Sequence, residues 1–333
     1  LLIDTPGLDD MGELGAARVK RSTDVVDRVD VALVVFSNDV TEVEQALVEE
    51  LRKREIPIVA VVSKCDQNPQ VDQLCEHIEQ TIGLKPIITS AKNGSGIDQL
   101  RAAIASLVKS EERLITEGFC EAGDLVMLVM PQDAQAPKGR LIKPQVQTLR
   151  ELLDRGCMAV SCTAEQMPEA LAALAAPPKL IITDSQVFDR VFALKPEGSV
   201  LTSFSILFAR YKGDIEAFVK GAAAIERLTP SSRVLIAEAC AHAPQNEDIG
   251  RVKLPRMLRG KVGEQLSIDV VAGDDFPRDL TQYDLVIHCG ACMFNRRHVM
   301  SRVAQASAQG VAITNYGVAI AALKGILSRV KTA

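Results

Sequence analysis

The chain has 333 residues, of which 47% are hydrophobic and 24% are charged, so its composition is that of a folded globular protein of two or three domains. It contains 38 Lys and Arg, 43 Asp and Glu, nine Phe, three Tyr and no Trp. This composition provides neither a basic surface nor an aromatic stacking platform, so we expect no nucleic-acid partner.

Eight cysteines are spread irregularly along the chain. They are too sparse for a disulfide-stabilised scaffold and predict a reducing compartment, the cytoplasm. The longest uncharged run, Val303–Leu323, contains Gln, Ser, Asn and Gly residues. It predicts a buried helix, strand and helix rather than a membrane span, so we expect no membrane partner.

The first third of the chain alternates apolar runs with segments of helical periodicity. Thr41 and Glu44 form a capping-box sequence before a predicted helix that ends at Arg54, and Ile97–Val108 has the same period. The predicted strands are Val31–Phe36, Ile56–Val62 and Pro86–Thr89. The opening segment Leu1–Asp4 has the pattern of the middle of a buried strand, so we expect the natural beginning of the protein to be missing.

A charged stretch from Lys109 to Gly123 predicts a linker, after which the alternation resumes. The further predicted strands are Leu125–Met130, Met158–Thr163, Leu180–Thr183, Val200–Ser203, Val234–Glu238, Leu266–Val271, Leu285–His288 and Ala312–Thr314. The predicted helices between and after them include Gln186–Leu194, Asp214–Leu228, Phe294–Ala308 and a final helix to Val330. This alternation predicts an α/β protein made of three successive parallel-sheet units.

The second of these units has no glycine-rich phosphate loop and few polar residues at its strand ends. It is therefore predicted to be a packing or dimerisation module, and we expect Leu125–Ser203 to form the main self-association surface.

Three short polar motifs follow predicted strands of the first unit: Asp4-Thr5-Pro6-Gly7, Ser63-Lys64-Cys65-Asp66 and Ser90-Ala91-Lys92. In a phosphate-binding NTPase, Asp4 would hold Mg²⁺ through water and the Gly7 N–H would reach the γ-phosphate. Asp66 would accept hydrogen bonds from guanine N1–H and the exocyclic amine, while Lys64 lies over the base. The loop of Ser90 and Ala91 would then bring the Ala91 N–H to guanine O6.

Each motif alone is compatible with an ordinary loop at the end of a strand. In this order they resemble the translation-factor-like GTPases of the TrmE and Era group, with Ser63 in place of the usual Asn. Leu8 stands where Ras-like proteins have a water-orienting Gln, and in the resembling group a bound K⁺ often takes over that task. The chain contains no G-x-x-x-x-G-K-[ST] phosphate loop, so we predict an incomplete P-loop GTPase domain that is inactive on its own.

A second set of chemistry-bearing residues lies in the last unit. Cys240-Ala-His242 follows one predicted strand, and His288-Cys289-Gly290-Ala291-Cys292 ends another. Because ligands collect outside the carboxyl ends of parallel strands, we expect both clusters to face one crevice. Cys289 and Cys292 are also predicted to lie at the start of the helix Phe294–Ala308, where the helix dipole favours thiolates.

Residue chemistry alone leaves three interpretations of this set open. It is typical of a tetrahedral Cys₃His zinc site, of an iron–sulfur cluster with three Cys and a weaker fourth ligand, or of a redox-active dithiol.

The C-x-H motif, the later H-C-x-x-C motif and the two preceding units together resemble the [FeFe]-hydrogenase maturation GTPase family HydF. The resemblance includes Asp4–Ser22 and Leu201–Gly213. It implies that Cys240, Cys289 and Cys292 bind a [4Fe-4S] cluster, with His242 or His288 as a labile fourth ligand. Arg296 and Arg297 are expected to form a solvated helix face, and the alternative is that they hold cyanide ligands of the cargo.

The same resemblance implies a scaffold that binds GTP with Mg²⁺ as a conformational switch. Its cargo would be a diiron precursor with CO and cyanide ligands, delivered to apo [FeFe]-hydrogenase, and its further partners would be the radical-SAM maturases HydE and HydG. The expected domains are a GTPase domain (1–113), a dimerisation domain (119–203) and a cluster-binding domain (204–333), in a homodimer. The alternative is a GTPase with a structural Cys₃His zinc domain.

Overall fold

The computed structural model describes residues 2–5, 25–26, 29–108, 113–131, 140–239, 248–273, 275–292 and 294–332. The chain divides into two compact units, Leu1–Glu112 and Arg113–Ala333. The described strands form three sheets, one in the first unit and two in the second, and all pair in parallel. The predicted α/β class with three parallel-sheet units is therefore confirmed.

The sheet of the first unit has the order β1-β2-β3. Its elements are β1 (Ala32–Phe36), α1 (Glu42–Lys53), β2 (Ile58–Val62), α2 (Val71–Ile82), β3 (Ile87–Ile88) and α3 (Ile97–Leu107). Phe36 and Val62 are buried in the core of this unit, to which α1 contributes Leu51. Because side chains alternate along a strand, Val35 of β1 points to the opposite face and is 55% exposed.

Local sequence signals account for the helix boundaries of this unit. At the start of α1 the Thr41 N–H donates to Glu44 Oε2 at 2.9 Å, and Thr41 Oγ1 accepts from the Val43 N–H at 3.3 Å, so the predicted capping box is confirmed. α2 ends at Gly83, whose φ of 71° is the left-handed conformation that glycine adopts at helix ends.

The strand expected at the beginning of the chain is not formed. Residues 2–5 have no regular secondary structure, and Leu2 is 87% exposed. A strand needs a hydrogen-bonded neighbour, and no strand of the described residues pairs with this segment. Asp4 is exposed and does not end a strand, so that prediction was wrong.

The first sheet of the second unit has the order β5-β4-β6-β7, with β5 at one edge. Its elements are β4 (Leu125–Val129), α4 (Lys143–Asp154), β5 (Met158–Cys162), α5 (Met167–Ala172), β6 (Leu180–Thr183), α6 (Phe188–Leu194) and β7 (Val200–Ser203). β4 and β6 are buried on both faces, as the continuous apolar runs of a parallel sheet predict.

Residues 113–123, which were predicted to belong to a linker, instead pack against this sheet. Ile115 and Phe119 are 4% and 3% exposed. The N–H groups of Ile115 and Thr116 both donate to the carboxylate of Glu151 on α4, each at 2.7 Å. The many charged residues of this stretch suggested a linker, although Ile115 and Phe119 are apolar residues that pack into the core.

The helix α7 (Phe204–Lys212) follows β7 directly and was not predicted. Its Phe204 and Phe208 belong to the core around β4 and β6. Its Ile206 and Ala209 belong to the core that continues to the next sheet. α7 therefore joins the two sheets of the second unit, and apolar residues on both sides of the helix conceal its amphipathic period.

The last sheet has the order β11-β10-β8-β9. The elements are α8 (Ile215–Ala222), β8 (Arg233–Glu238), α9 (Leu254–Val262), β9 (Ser267–Ala272), β10 (Leu285–His288), α10 (Arg296–Ala308), β11 (Ala312–Asn315) and α11 (Tyr316–Leu323). The final helix ends at Leu323 rather than Val330, because Gly325 takes a left-handed φ of 68°.

The uncharged run Val303–Leu323 folds as the end of α10, β11 and α11, which is the predicted helix, strand and helix. Val303, Ile313 and Ile320 are buried in the core of the second unit. In the part of the chain that the structure describes, no helix is both long and apolar enough to cross a membrane.

Candidate functional site

Two motifs of the predicted nucleotide site meet at the carboxyl edge of the first sheet. β2 and β3 pair in parallel, with Val62 opposite Ile88, so the loops that follow them are neighbours. Ser90 Oγ donates a hydrogen bond to Asp66 Oδ1 at 2.6 Å. This bond is the main cause of the lowered pKa of Asp66, which keeps the carboxylate ionised as an acceptor.

Backbone geometry presents these side chains to solvent. Lys64 has a φ of 55°, which turns the chain sharply at the end of β2. The side chains of Lys64, Asp66 and Ala91 lie at exposed positions. Gly96 has a φ of +72°, and a Cβ there would lie 1.9 Å from the carbonyl oxygen of Ile88, so only glycine fits behind this loop. An ionised carboxylate held by a hydroxyl can accept two hydrogen bonds from a guanine edge.

Of the residues predicted to act at Mg²⁺ and the γ-phosphate, the described part of the chain includes only Asp4. Asp4 is exposed in an irregular segment, and Gly7 and Leu8 lie outside the described residues. Of the six predicted nucleotide-binding residues, the structure therefore brings together those that would contact the base.

The cysteine motif lies in the loop between β10 and α10. Cys289 directly follows β10, and its Sγ accepts the N–H of Ala239 at 3.0 Å and that of Ala291 at 3.4 Å. Ala239 follows the neighbouring strand β8. The carboxyl ends of these two strands therefore meet at a cysteine sulfur.

Cys289 and Cys292 lie before α10 rather than in its first turn. α10 begins at Arg296, and Asn295 caps it by accepting the His298 N–H at 3.2 Å. The predicted placement of both thiols at the helix start was therefore wrong. Cys292 lies three residues before the cap Asn295, so neither thiol is in the first turn, where the helix dipole acts most strongly.

A lysine that sequence reasoning missed holds this loop. Lys212, the last residue of α7, is 7% exposed, and its Nζ donates to the carbonyl oxygens of Ala291 and Cys292 at 2.9 Å and of Phe294 at 2.8 Å. The pKa of Lys212 is lowered to about 8, first by burial and then by the charge of Lys143, while Cys292 and Cys289 oppose the shift. Nothing in the sequence of the run Leu201–Gly213 indicated that Lys212 would be buried and hydrogen-bonded to the cysteine loop.

Both ring nitrogens of His288 are engaged. Arg302 donates to His288 Nε2 at 3.0 Å, so His288 Nδ1 carries the proton and donates to the carbonyl oxygen of Cys289 at 2.7 Å. Burial, followed by the charge of Arg302, lowers the pKa of His288 to about 3. In this geometry the imidazole offers no lone pair to a metal, so the structure speaks against His288 as the fourth ligand.

Arg296 and Arg297 were predicted either to face solvent or to hold an anion. The guanidinium of Arg296 donates to the carbonyl oxygen of Gly213, just beyond α7. Arg296 therefore ties the start of α10 to the end of α7.

A buried polar cluster borders the same sheet edge. Glu238, at the end of β8, is 2% exposed and accepts from Arg251 at 2.9 Å. A Cβ on Gly250 would lie 2.0 Å from Tyr316 Oη and 2.8 Å from Glu238 Oε1. The Tyr316 hydroxyl is buried and makes no hydrogen bond to the described residues, and burial raises its pKa well above the usual value.

Two free cysteines to which the sequence assigned no ligand role lie side by side. The sulfurs of Cys120 and Cys157 lie 3.8 Å apart, and both residues are buried. Burial raises the pKa of Cys157 to about 11, so this thiol stays protonated and unreactive at neutral pH.

Cys240 and His242 lie outside the described residues. Among the residues that are described, no three His, Cys, Asp or Glu side chains are grouped so that they could hold a metal ion. Two of the three predicted thiolate ligands are thus present in one loop, and the third position follows Ala239 in the sequence.

Comparison with known proteins gives two matches in the second unit. Residues 115–213 match the hydrogen maturase F dimerization domain, and residues 216–332 match the hydrogen maturase F tetramerization domain. Both descriptions are those of self-associating domains, which supports an oligomeric protein.

Over about a third of its length, the chain is also similar to GTPases. It is 31% identical over 121 residues to the GTPase Der of Rhizobium etli (strain CIAT 652), which is 35% of this chain and 25% of that protein. It is 28% identical over 122 residues to the GTPase Era of Pseudomonas aeruginosa (strain LESB58), which is 34% of this chain and 40% of that protein. The chain thus spans less than half the length of these relatives. With two domain matches that run in succession through the second unit, the chain belongs to the hydrogen maturase F family.

Proposed function

We propose that this chain is the base-binding and cluster-binding part of a GTP-binding hydrogenase maturation factor. The observation that carries the proposal is the sulfur of Cys289, which touches the backbone of Ala239 at the carboxyl ends of two adjacent strands. Cys240 is the next residue in the sequence, and consecutive Cα atoms are about 3.8 Å apart. Chain connectivity thus supports convergence of Cys240 with Cys289 and Cys292.

The donor set fits an iron–sulfur cluster. Iron–sulfur clusters are held by thiolates, and hydrogen bonds to the sulfurs tune their reduction potentials. Cys289 Sγ already accepts two backbone N–H groups. When bound, the [4Fe-4S] cluster would supply an iron with an exchangeable ligand. His242 remains the imidazole candidate for that position, because both ring nitrogens of His288 are engaged.

GTP with Mg²⁺ is the proposed nucleotide. The hydrogen bond between Ser90 and Asp66 and the similarity to the GTPases Der and Era support this assignment. Lys64 and Ala91 would complete the contacts to the base, while Asp4 and Gly7 would act at Mg²⁺ and the γ-phosphate. K⁺ would assist hydrolysis.

Family membership supports the remaining parts of the proposal. The cargo would be a diiron precursor with CO and cyanide ligands, transferred in the cytoplasm to apo [FeFe]-hydrogenase, with the radical-SAM maturases HydE and HydG as further partners. We assign nucleotide binding to 1–113, dimerisation to 119–203 and cluster binding to 204–333. The protein would act as a homodimer or a larger assembly, since its domain families are named for dimerisation and tetramerisation.

Iron and sulfide analysis of anaerobically purified protein, with EPR after reduction, tests the cluster. We expect about four irons per chain and an EPR signal, and loss of both in Cys240→Ser, Cys289→Ser and Cys292→Ser. Cys75→Ser on α2 is the control and should keep the iron. Full iron in any one of the first three variants would remove that residue from the ligand set. A colourless protein with one zinc would instead establish the alternative, a structural Cys₃His zinc domain.

A further inference from the structure

We propose that Lys212 is a positioning residue that shapes the cysteine loop, meaning Cys289–Cys292 and Phe294, and places its ammonium group beside Cys289 and Cys292. This inference rests on the proposed cluster site. Lys212 is the last residue of α7 and lies 79 positions before Ala291 in the sequence. The predicted ligands gave no indication that this lysine contacts their loop.

The ammonium group is saturated by one loop. A lysine has three N–H donors, and those of Lys212 meet three carbonyl oxygens between 2.8 and 2.9 Å away, from Ala291, Cys292 and Phe294. One of these oxygens belongs to the predicted ligand Cys292 itself. The contacts therefore define the backbone on both sides of that cysteine rather than an unrelated turn.

The loop needs such an anchor because its backbone is unusual. Ala291 has a φ of 46°, a left-handed conformation that residues with a Cβ rarely adopt, and it is 2% exposed. Carbonyl groups that turn towards one buried point repel each other unless a donor lies between them. Lys212 provides that donor, so the turn that separates Cys289 from Cys292 depends on it.

A second contact joins the same two elements. The Arg296 guanidinium donates to the carbonyl oxygen of Gly213, the residue after Lys212. The end of α7 is thus bonded both to the cysteine loop and to the first residue of α10. α7 is itself fixed in two cores through Phe208 and Ile206, so the anchor point is rigid.

The charge of Lys212 has a separate consequence. A cluster held by three thiolates becomes more negative when it is reduced, and a buried cation stabilises the reduced state more than the oxidised one. A lysine with a purely structural role would affect only the stability of the protein. A charged positioning residue also raises the reduction potential of the cluster and slows alkylation of the two thiols.

The test compares Lys212→Met, Lys212→Arg and the control Lys324→Met in the full chain. Lys324 is a partly buried lysine whose Nζ contacts Asp189 at 2.6 Å, away from the cysteine loop. In the metal-free protein we expect Lys212→Met to increase the rate of alkylation of Cys289 and Cys292 by iodoacetamide at least about tenfold, because an opened loop exposes both thiols. The modified residues are identified by mass spectrometry, and Lys324→Met should alkylate at the wild-type rate.

In the reconstituted protein, Lys212→Met should lower the midpoint potential and change the EPR spectrum. Lys212→Arg keeps the charge but cannot cap three carbonyls in the same way. It should therefore keep a potential near that of the wild type while its alkylation becomes faster. If Lys212→Met does not fold, Lys212→Arg decides the question, because a wild-type alkylation rate there would overturn the positioning role. A folded Lys212→Met with the wild-type alkylation rate and potential would also overturn it. A wild-type protein that binds no iron would refute the proposed function, but the metal-free alkylation comparison would still decide the role of Lys212.

Discussion

Asp66 is the single residue that we expect to define the base specificity of the nucleotide site. Its carboxylate is held by Ser90 Oγ at 2.6 Å and lies at an exposed position beside Lys64. A carboxylate accepts from the two donors of guanine, whereas adenine offers the opposite pattern at the same edge. The sequence motif predicted the acceptor, and the structure adds the hydroxyl that orients it.

We expect Asp66→Asn to exchange guanine for xanthine. Asn keeps one acceptor for N1–H, and its amide can donate to the carbonyl oxygen that xanthine carries in place of the amine. In a version of the chain extended by a phosphate loop, Asp66→Asn should lose about one to two decades of GTP affinity, because a charged hydrogen bond contributes about 1.5–3 kcal/mol. It should gain affinity for XTP, measured by calorimetry. Unchanged preference for GTP in this variant would show that Asp66 does not contact the base.

His288 shows that a sequence motif does not determine whether a single histidine can bind a metal. Its place in an H-C-x-x-C motif suggested a ligand, but Arg302 and the Cys289 carbonyl occupy its two nitrogens. A motif names a residue type at a position, whereas the direction of a ring depends on what packs around it. Lys212 is the opposite case, because its sequence context suggested no role and its ammonium group donates to three carbonyl oxygens of the loop.

At the scale of elements, α8 and β11 approach each other closely. A Cβ on Gly221 of α8 would lie 1.8 Å from the carbonyl oxygen of Ile313 and 2.6 Å from its carbon. Backbone atoms of a paired strand cannot move aside, so this contact requires glycine. Gly260 of α9 is also helical, but a Cβ added there would meet no heavy atom within 4 Å.

This contrast gives a matched pair of variants. Gly221→Ala should lower the free energy of unfolding of the second unit by at least about 2 kcal/mol through overpacking. Gly260→Ala should raise it by up to about 1 kcal/mol, because alanine is the better helix former. Urea denaturation followed by circular dichroism measures both. Equal effects of the two substitutions would contradict the close approach of α8 to β11.

At the scale of the whole molecule, the edge strand β5 is a candidate surface for self-association. Met158 on β5 is 56% exposed, and on the adjacent helix α4 Val146 and Leu153 are 48% and 56% exposed. No described strand pairs with the outer side of β5. The surface lies within residues 115–213, which match a dimerization domain. Its use by a second copy of the chain stays a prediction.

Ser161→Pro tests this edge. The Met158 N–H donates to the Asp124 carbonyl oxygen, and the Cys162 carbonyl oxygen accepts from the Met130 N–H. In a parallel pair every second residue bonds to a given neighbour, so the backbone groups of Ser161 point away from β4. Proline at 161 therefore removes an outward donor without breaking the inner ladder. We expect a dissociation constant at least about tenfold higher by analytical ultracentrifugation, with Ser161→Ala unchanged, because the loss of edge hydrogen bonds of about 1 kcal/mol each weakens pairing. An unaltered dimer would place the interface elsewhere.

The sequence by itself determined the alternation of strands and helices, the parallel sheets and the residue types at the strand ends. These features depend on local periodicity and capping, as in α1 with its capping box of Thr41 and Glu44. Neighbouring residues in the sequence are enough to produce such patterns, without contacts from the rest of the fold. Only the tertiary structure decided which strands lie at an edge, that α7 joins two cores, and that Lys212 holds the cysteine loop. Each of these depends on contacts between residues far apart in the chain. Their energies come from burial and from hydrogen-bond geometry, and neither leaves a local pattern in the sequence.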